Sequence, residues 1–386
     1  MSRVASRIGS MKQHQKITAI MLVLLLSMVI LAGCSGSNAP ASGTKPQSSP
    51  QGGEASQDSS KSPEAAEPVK LRMAAWSNAV PHLLSVLASE AGFYAEEGLN
   101  VELTPNNSNP ENLTALVTDK LDATSAGATA VLNYIDEGND IVIIGGQMTE
   151  GAALFALPER ADEFKELTQE ALQGKRIGIT RLQSGDIALR VYLQEQGIDL
   201  STIEFVELDS CPTIIEAIKN GSVDLGSVFM TFRQTAEQQG LAVVKHIDEL
   251  FPGFLCCRLV TTQEKLDADR ATFVKLVRAN IKAYRLYKTD EAKTLEIAKK
   301  FILVDDQIIR QQIYDYGHLG ITPNPALSDV KKFFKGMVDV KYAKGNVAIE
   351  DHTDTSLFRD ALDSLIAENP DDTVYLELRD IYEATN

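Results

Sequence analysis

The segment spanning residues 70–103, KLRMAAWSNAVPHLLSVLASEAGFYAEEGLNVEL, constrains the chain most, because its hydrophobic period changes twice within a short span. Residues 71–75 are a short β-prone run. Asn78 is placed to cap a helix whose first turn holds Pro81, where a missing N–H costs nothing. Val80, Leu83, Leu84, Leu87 and Ala91 then recur at helical spacing, so the helix buries one face against a sheet. Gly92 ends it, and residues 99–103 return as a strand. The loop leaving the first strand carries Trp76, Ser77, Asn78 and His82. Polar and aromatic groups off the carboxyl end of a strand mark the place where open α/β sheets bind ligands.

The same alternation continues. Residues 109–117 and 128–134 read as helices, 121–125 as a strand, 141–145 as a buried isoleucine-rich strand, and 152–157 as a further extended apolar run. After a charged stretch at 159–170 the order repeats, with strands at 176–180, 203–208, 223–229 and 241–245 and helices at 186–196, 212–219 and 231–239. Residues 254–261 form a second extended apolar run. Beyond them the chain reads as almost entirely helical, at 270–288, 291–301, 305–317, 328–340 and 355–367. This pattern predicts an α/β clamp of two lobes with separate cores, each a mostly parallel sheet flanked by helices. Residues 70–157 begin lobe I and 158–253 form lobe II. Residues 254–386 return through a hinge and complete lobe I with helices. Two extended crossings make a hinge, and hinge closure around a ligand is a standard two-lobe motion. Residues 117–123 and 218–225 echo each other as helix end, polar turn, Asp and short strand, which fits either two lobes built to one plan or two ordinary αβ turns.

The stretch before the fold reads differently. Arg3, Arg7, Lys12 and Lys16 precede an apolar run at 17–32 that ends in Leu31-Ala32-Gly33-Cys34, an export leader over residues 1–33, with Met11 as an alternative start. The run approaches transmembrane length, so an uncleaved anchor is the competing reading. Leu-Ala-Gly-Cys resembles the lipobox of bacterial lipoproteins, which implies cleavage before Cys34, diacylation of Cys34 and a place on the extracytoplasmic face of the cell membrane. Residues 34–69, rich in Ser, Gly, Pro, Gln and Ala, read as a flexible tether. The net charge is −16 and becomes more negative once the four basic leader residues are removed. A body this acidic is a poor partner for nucleic acid or for an anionic lipid surface. Beyond Cys34 only Cys211, Cys256 and Cys257 occur, neither a disulfide framework nor a zinc spacing.

No G-x-S-x-G, H-E-x-x-H, Walker loop or paired-carboxylate motif is present, and the five histidines, His14, His82, His246, His318 and His352, show no ligand-like spacing. No catalysis, cofactor or metal is therefore expected. What recurs is small or hydroxyl residues at helix starts after strands: 125–129 with Gly127 and Thr129, 183–186 with Ser184, 210–213, and Met230-Thr231. Such starts offer free backbone N–H groups and a positive dipole end to an acceptor-rich or anionic ligand, with plain capping as the alternative. Gln147, Thr180, Asp209 and Phe229 lie at or just past strand ends and complete the candidate set. Trp76, the sole tryptophan, is placed to stack on a planar ligand or to serve as an apolar plug. His82 is either a ligand partner or a structural histidine, and Arg181 and Arg233 are placed to grip an anion. Cys256 and Cys257, adjacent in an extended segment, should point to opposite faces. Cys211, at a helix start, is positioned for a lowered pKa.

Residues 90–101, EAGFYAEEGLNV, followed by Leu121-Asp122 and Gly174-Lys175-Arg176-Ile177-Gly178, resemble the periplasmic-binding-type proteins (type II) of ABC importers over most of residues 70–301. Among them the chain is most similar to the group that includes sulfonate, nitrate and thiamine-pyrimidine-precursor binders. The resemblance implies a monomeric clamp without catalytic activity that hands a small-molecule solute to a membrane permease. The Trp76-x5-His82 spacing resembles a loop of the thiamine-pyrimidine-precursor binders and of the related eukaryotic pyrimidine synthases, although Ser77-Asn78-Ala79 stands where the binders carry Pro-Asn. Cys256-Cys257 is at most a remnant of the cysteine-rich run of those synthases. The expected ligand is a small planar heterocycle in the inter-lobe cleft. An aliphatic sulfonate, nitrate or similar small anion is the alternative ligand. A tethered pyrimidine-synthase-like enzyme and a ligand sensor are the alternative functions.

Overall fold

The computed structural model describes residues 67–75, 80–302 and 306–386. The leader, Cys34, most of the tether, Trp76 and Asn78 lie outside the described residues. In chain order, β1 (Val69–Ala75), β2 (Leu99–Pro105), β3 (Ala123–Gly127) and β4 (Val142–Glu150) begin one sheet. A second sheet holds β5 (Ala152–Ala156), β6 (Arg176–Ile179), β7 (Glu204–Glu207), β8 (Leu225–Phe229) and β9 (Ala242–His246). Then β10 (Leu255–Thr261) and β11 (Leu319–Ile321) return to the first. The strand orders are β11-β4-β10-β3-β1-β2 and β7-β6-β8-β5-β9.

The sheets are mixed rather than mostly parallel. β1 runs parallel to β2 and β3, and β6 to β7 and β8. β10 is antiparallel to β3 and β4, β11 to β4, and β5 to β8 and β9. The reason is topological: both sheets present strand carboxyl ends to the space between them, so a strand crossing that space enters its new sheet against the resident direction. β5, expected to close the first lobe, belongs by its pairing to the second. The sequence echo is a true structural repeat. The Arg72 N–H donates to Asp122 Oδ2 at 2.7 Å, and the Arg176 N–H donates to Asp224 Oδ2 at 2.8 Å, so that one aspartate pins β1 beside β3 and the other pins β6 beside β8.

Helices α1 (Leu83–Glu90), α2 (Asn109–Val117) and α3 (Ala128–Asp136) flank the first sheet, and α4 (Ser184–Glu195) and α5 (Cys211–Lys219) the second. Beyond β10 come α6 (Gln263–Thr289), broken at Asp269, then α7 (Glu291–Ala298), α8 (Leu327–Asp339), α9 (Thr355–Glu368) and α10 (Thr373–Thr385). Among the described residues no helix is long and apolar enough to cross a membrane. The helices α6, α7 and α9 pack on the first lobe as expected, where Leu276, Ile297, Phe358 and Leu362 join Leu84 and Leu87 of α1.

The α8 helix does not follow that rule. Its Val330, Phe333 and Met337 share one apolar cluster with Ile187 and Val191 of α4, Val131 and Ile135 of α3, and Val260 of β10. The two lobes therefore do not have separate cores: a continuous apolar layer joins them. Gly336 makes the approach possible, since a Cβ there would sit 2.8 Å from the Val191 side chain.

The crossings are tied to each other. Between β4 and β5, Glu150 and Gly151 take left-handed φ values of 64° and 90°. The Glu150 N–H donates to the Phe254 carbonyl at 2.8 Å, and its carboxylate accepts from the Gly253 N–H at 2.8 Å. Burial raises the pKa of that carboxyl, opposed by the Gly253 hydrogen bond.

Candidate functional site

Strand ends from both sheets open into a cavity of about 570 Å³. From the first lobe come Pro81, Asn107, Asn109 and Gly127; from the second, Thr180, Ser184, Asp209, Cys211 and Phe229 with their neighbours; Cys256 and Cys257 come from β10. Four helices start there. At α2 and α5 the N-cap serines are used up locally: Ser108 Oγ accepts from the Glu111 N–H at 3.3 Å, and Ser210 Oγ accepts from the Thr213 N–H at 3.4 Å. Proline in the first turn of each costs no hydrogen bond. At α3 and α4 the N-cap residues are Gly127 and Gln183, and neither supplies a side-chain cap. Their first-turn N–H groups and dipole ends are thus available to a ligand. The Gly127 N–H donates to Asn109 Oδ1 at 2.9 Å, and a Cβ at Gly127 would collide with the Asn109 amide.

The thiols overturn the expectation of opposite faces. Cys256 and Cys257 Sγ lie 3.1 Å apart, and both residues line the cavity. The register of β10 against β4 slips on either side of this pair, and the bulge breaks the alternation that an ideal strand would impose. The hydrogen bond between the two sulfurs, then burial, raises the Cys256 pKa. The same hydrogen bond lowers that of Cys257, and His82, fully buried beside it, acts in the same direction. Cys211 goes the other way from its sequence-based expectation: burial raises it, and the Phe229 N–H donating to its sulfur at 3.4 Å does not offset this. The buried Thr180 hydroxyl, near Cys211, makes no hydrogen bond of good geometry. Its weak contact with the Cys211 thiol leaves room for a stronger partner.

Gly127, Thr180, Ser184, Asp209 and Phe229 come together in the cavity wall. Thr129 lies just behind it, its hydroxyl 3.1 Å from that of Ser184, a contact that spans the two lobes. His82 is under the wall rather than in it. Gln147 is turned into the first lobe, donating to Ser85 Oγ at 3.1 Å and Asn280 Oδ1 at 3.2 Å. Arg181 is exposed and does not line the cavity. Arg233 lines a neighbouring groove, paired with Glu237 at 2.8 Å and stacked 4.7 Å over Tyr316. Among the described lining residues there is no Lys, Arg or His, and Asp209 is the sole carboxylate. Asn107 and Asn109 were missed, although the polar run at 106–109 directly after a strand marks them. Ile302 and Gln312 also line the cavity and reach it from the distal helical region, with no local sequence signal.

The model of the NMT1-like family matches residues 62–302. A curated relative from Brucella abortus (strain 2308), named as a candidate binding protein, is 22% identical over 225 residues, 58% of this chain and 68% of that protein. The ligand-binding component of an ABC-type import system from Staphylococcus aureus, solved with zinc bound, superposes with a TM-score of 0.63 at 16% identity, covering 76% of this chain and 99% of that one. The periplasmic aliphatic sulphonate-binding protein SsuA from Escherichia coli gives 0.63 at 15% identity, covering 75% and 99%. These likenesses show the fold, the two-lobe clamp of type II periplasmic binding proteins. With more than half of its length matched by the family model, the chain belongs to the NMT1-like family.

Proposed function

We propose that this protein is the extracytoplasmic solute-binding component of an ABC importer, and that it takes a small planar heterocycle of the thiamine-pyrimidine-precursor kind between its lobes. One observation carries the ligand class: the described cavity wall offers hydroxyls, amides, helix-start N–H groups, thiols and a phenyl ring, but no cationic side chain. A sulfonate or nitrate would enter without a charged partner, whereas a neutral ring with several donors and acceptors finds each of its needs met. In this reading Trp76 stacks on the ring, Thr180 and Ser184 hydrogen-bond its edge, and the protein works as a monomer held to the membrane through Cys34, passing its solute to a permease. It is a binder rather than a synthase, in keeping with relatives and structural neighbours named as binding proteins. A small anion is the second reading, favoured by the α3 and α4 starts that lack side-chain caps and by the sulphonate-binding neighbour.

Mass spectrometry of ligand released from protein purified without refolding tests the class directly. Calorimetric titration with pyrimidines, flavin precursors and sulfonates then ranks them. Stacking and burial of one ring on Trp76 should contribute about 1–3 kcal/mol, so Trp76→Ala should weaken binding about ten- to a hundredfold. If only sulfonates or nitrate bind, and Trp76→Ala leaves them unaffected, the heterocycle reading fails and the anion reading stands.

A further inference from the structure

Although the histidines show no ligand-like spacing in sequence, two of them meet in the fold. His246 ends β9, Glu249 follows in the short helix Ile247–Leu250, and His318 immediately precedes β11. One nitrogen of each imidazole and one Glu249 oxygen lie within 4.8 Å of one another. The imidazoles are stacked, with centroids 3.4 Å apart and planes 9° from parallel, and Tyr316 packs edge-on against both. Asp248 Oδ2 is 2.8 Å from His318 Nδ1. A carboxylate there fixes the tautomer, so Nδ1 carries the proton and Nε2 presents its lone pair. His246 Nδ1 is buried and has no hydrogen-bond partner among the described residues. A purely structural ring pair gains nothing from leaving that nitrogen unsatisfied.

We propose that His246, Glu249 and His318 are the protein ligands of a divalent transition-metal site that clasps the two lobes beside their first crossing. Two imidazole nitrogens and one carboxylate suit zinc, cobalt or nickel rather than calcium or magnesium, and three ligands leave a fourth position to water. Tetrahedral bonds of about 2.0–2.1 Å require donors closer together than they now stand. Glu249 is free to swing in, since its contact with Lys245 is a loose 3.8 Å. Asp248 is the outer-sphere partner that orients His318.

The position follows from strand register. His246 pairs with Ala153, Leu319 pairs with Glu150, and the Gly151 N–H donates to the His318 carbonyl at 3.0 Å. The two imidazoles thus flank Glu150-Gly151, one at the end of the second sheet's edge strand and one just before the first sheet's. An ion held by both resists rotation about that crossing, whichever solute the cavity takes.

The full chain, stripped with chelator, should bind one Zn²⁺ with micromolar or tighter affinity by calorimetry, and Zn²⁺ should raise its melting temperature. Co²⁺ should give the visible bands of a four- or five-coordinate ion. Glu249 is exposed, so Glu249→Gln should fold normally and bind at least tenfold more weakly. The double variant His246→Gln/His318→Gln should lose the Co²⁺ spectrum. His352→Gln, which alters a ring bonded to the Ile141 carbonyl elsewhere, should keep it. Equal affinity and spectrum in wild type and double variant, or no Zn²⁺ binding tighter than millimolar, overturns the proposal.

Discussion

Asp186 sits in the first turn of α4, 1% exposed, with Oδ1 accepting the Arg190 Nε–H at 2.8 Å and Oδ2 bonded to nothing among the described residues. Burial pushes its pKa from 3.8 up to about 6, with Arg190 opposing. Between those values the folded chain holds a proton that the unfolded chain has released. The favourable contribution of this group is therefore complete below pH 4 and lost as the pH rises through 6, at about 3 kcal/mol for a shift of two units. Asp186→Asn should flatten that fall. Denaturant titrations at pH 4, 5, 6 and 7 check it, and an unchanged slope would count against the assignment. Side-chain direction was the least legible property of single residues. Position at a strand end marked Thr180 and Ser184, which line the cavity, but also Arg181, which points to solvent, and Arg233, which turns to Glu237. Cys256 and Cys257 share a face because of how β10 pairs with a distant strand, and nothing in their own neighbourhood encodes a bulge.

At the scale of elements, periodicity carried most of the reading. Asn109–Val117 and the strand–helix steps of both lobes were plain, because each has a period, a cap or a glycine stop. β11 is three residues long, and α10 buries only Val374, Tyr375 and Leu378, so neither rises above background in sequence. The α8 stripe declared a buried face without declaring which neighbour would cover it. Contacts between elements also supply the test of closure. The Thr129 and Ser184 hydroxyls, 3.1 Å apart, join the starts of α3 and α4 across the lobes. A Thr129→Cys/Ser184→Cys pair should oxidise readily and slow solute entry at least tenfold, with reductant restoring it. In small-angle scattering the reduced form should contract on saturation with solute while the oxidised form does not change. Equal entry rates in both forms would mean that the lobes do not part at this contact.

At the scale of the whole molecule, the lipobox-like Leu31-Ala32-Gly33-Cys34 supplies the test of the proposed membrane anchoring. Cys34→Ala should abolish lipid labelling and leave the chain uncleaved at this site or shed from the membrane, and labelling that persists would refute the lipoprotein reading. The order in which the sheets are filled has its own consequence. The second sheet draws all of its strands from residues 152–246, one unbroken stretch. The first sheet has β10 at its middle, between β4 and β3, and that strand is threaded only after the whole second lobe has passed. A chain emerging from its amino end therefore carries β3 and β4 with raw, unpaired edges until residue 261 arrives, while the second sheet has all of its strands by residue 246 and lacks only the cover that α8 gives α4. The sheet made second is therefore the one expected to pair first. The part made first must wait, so the long-range pairing of β10 is the step expected to be slow, and the open edges of β3 and β4 are where a half-made chain is expected to aggregate.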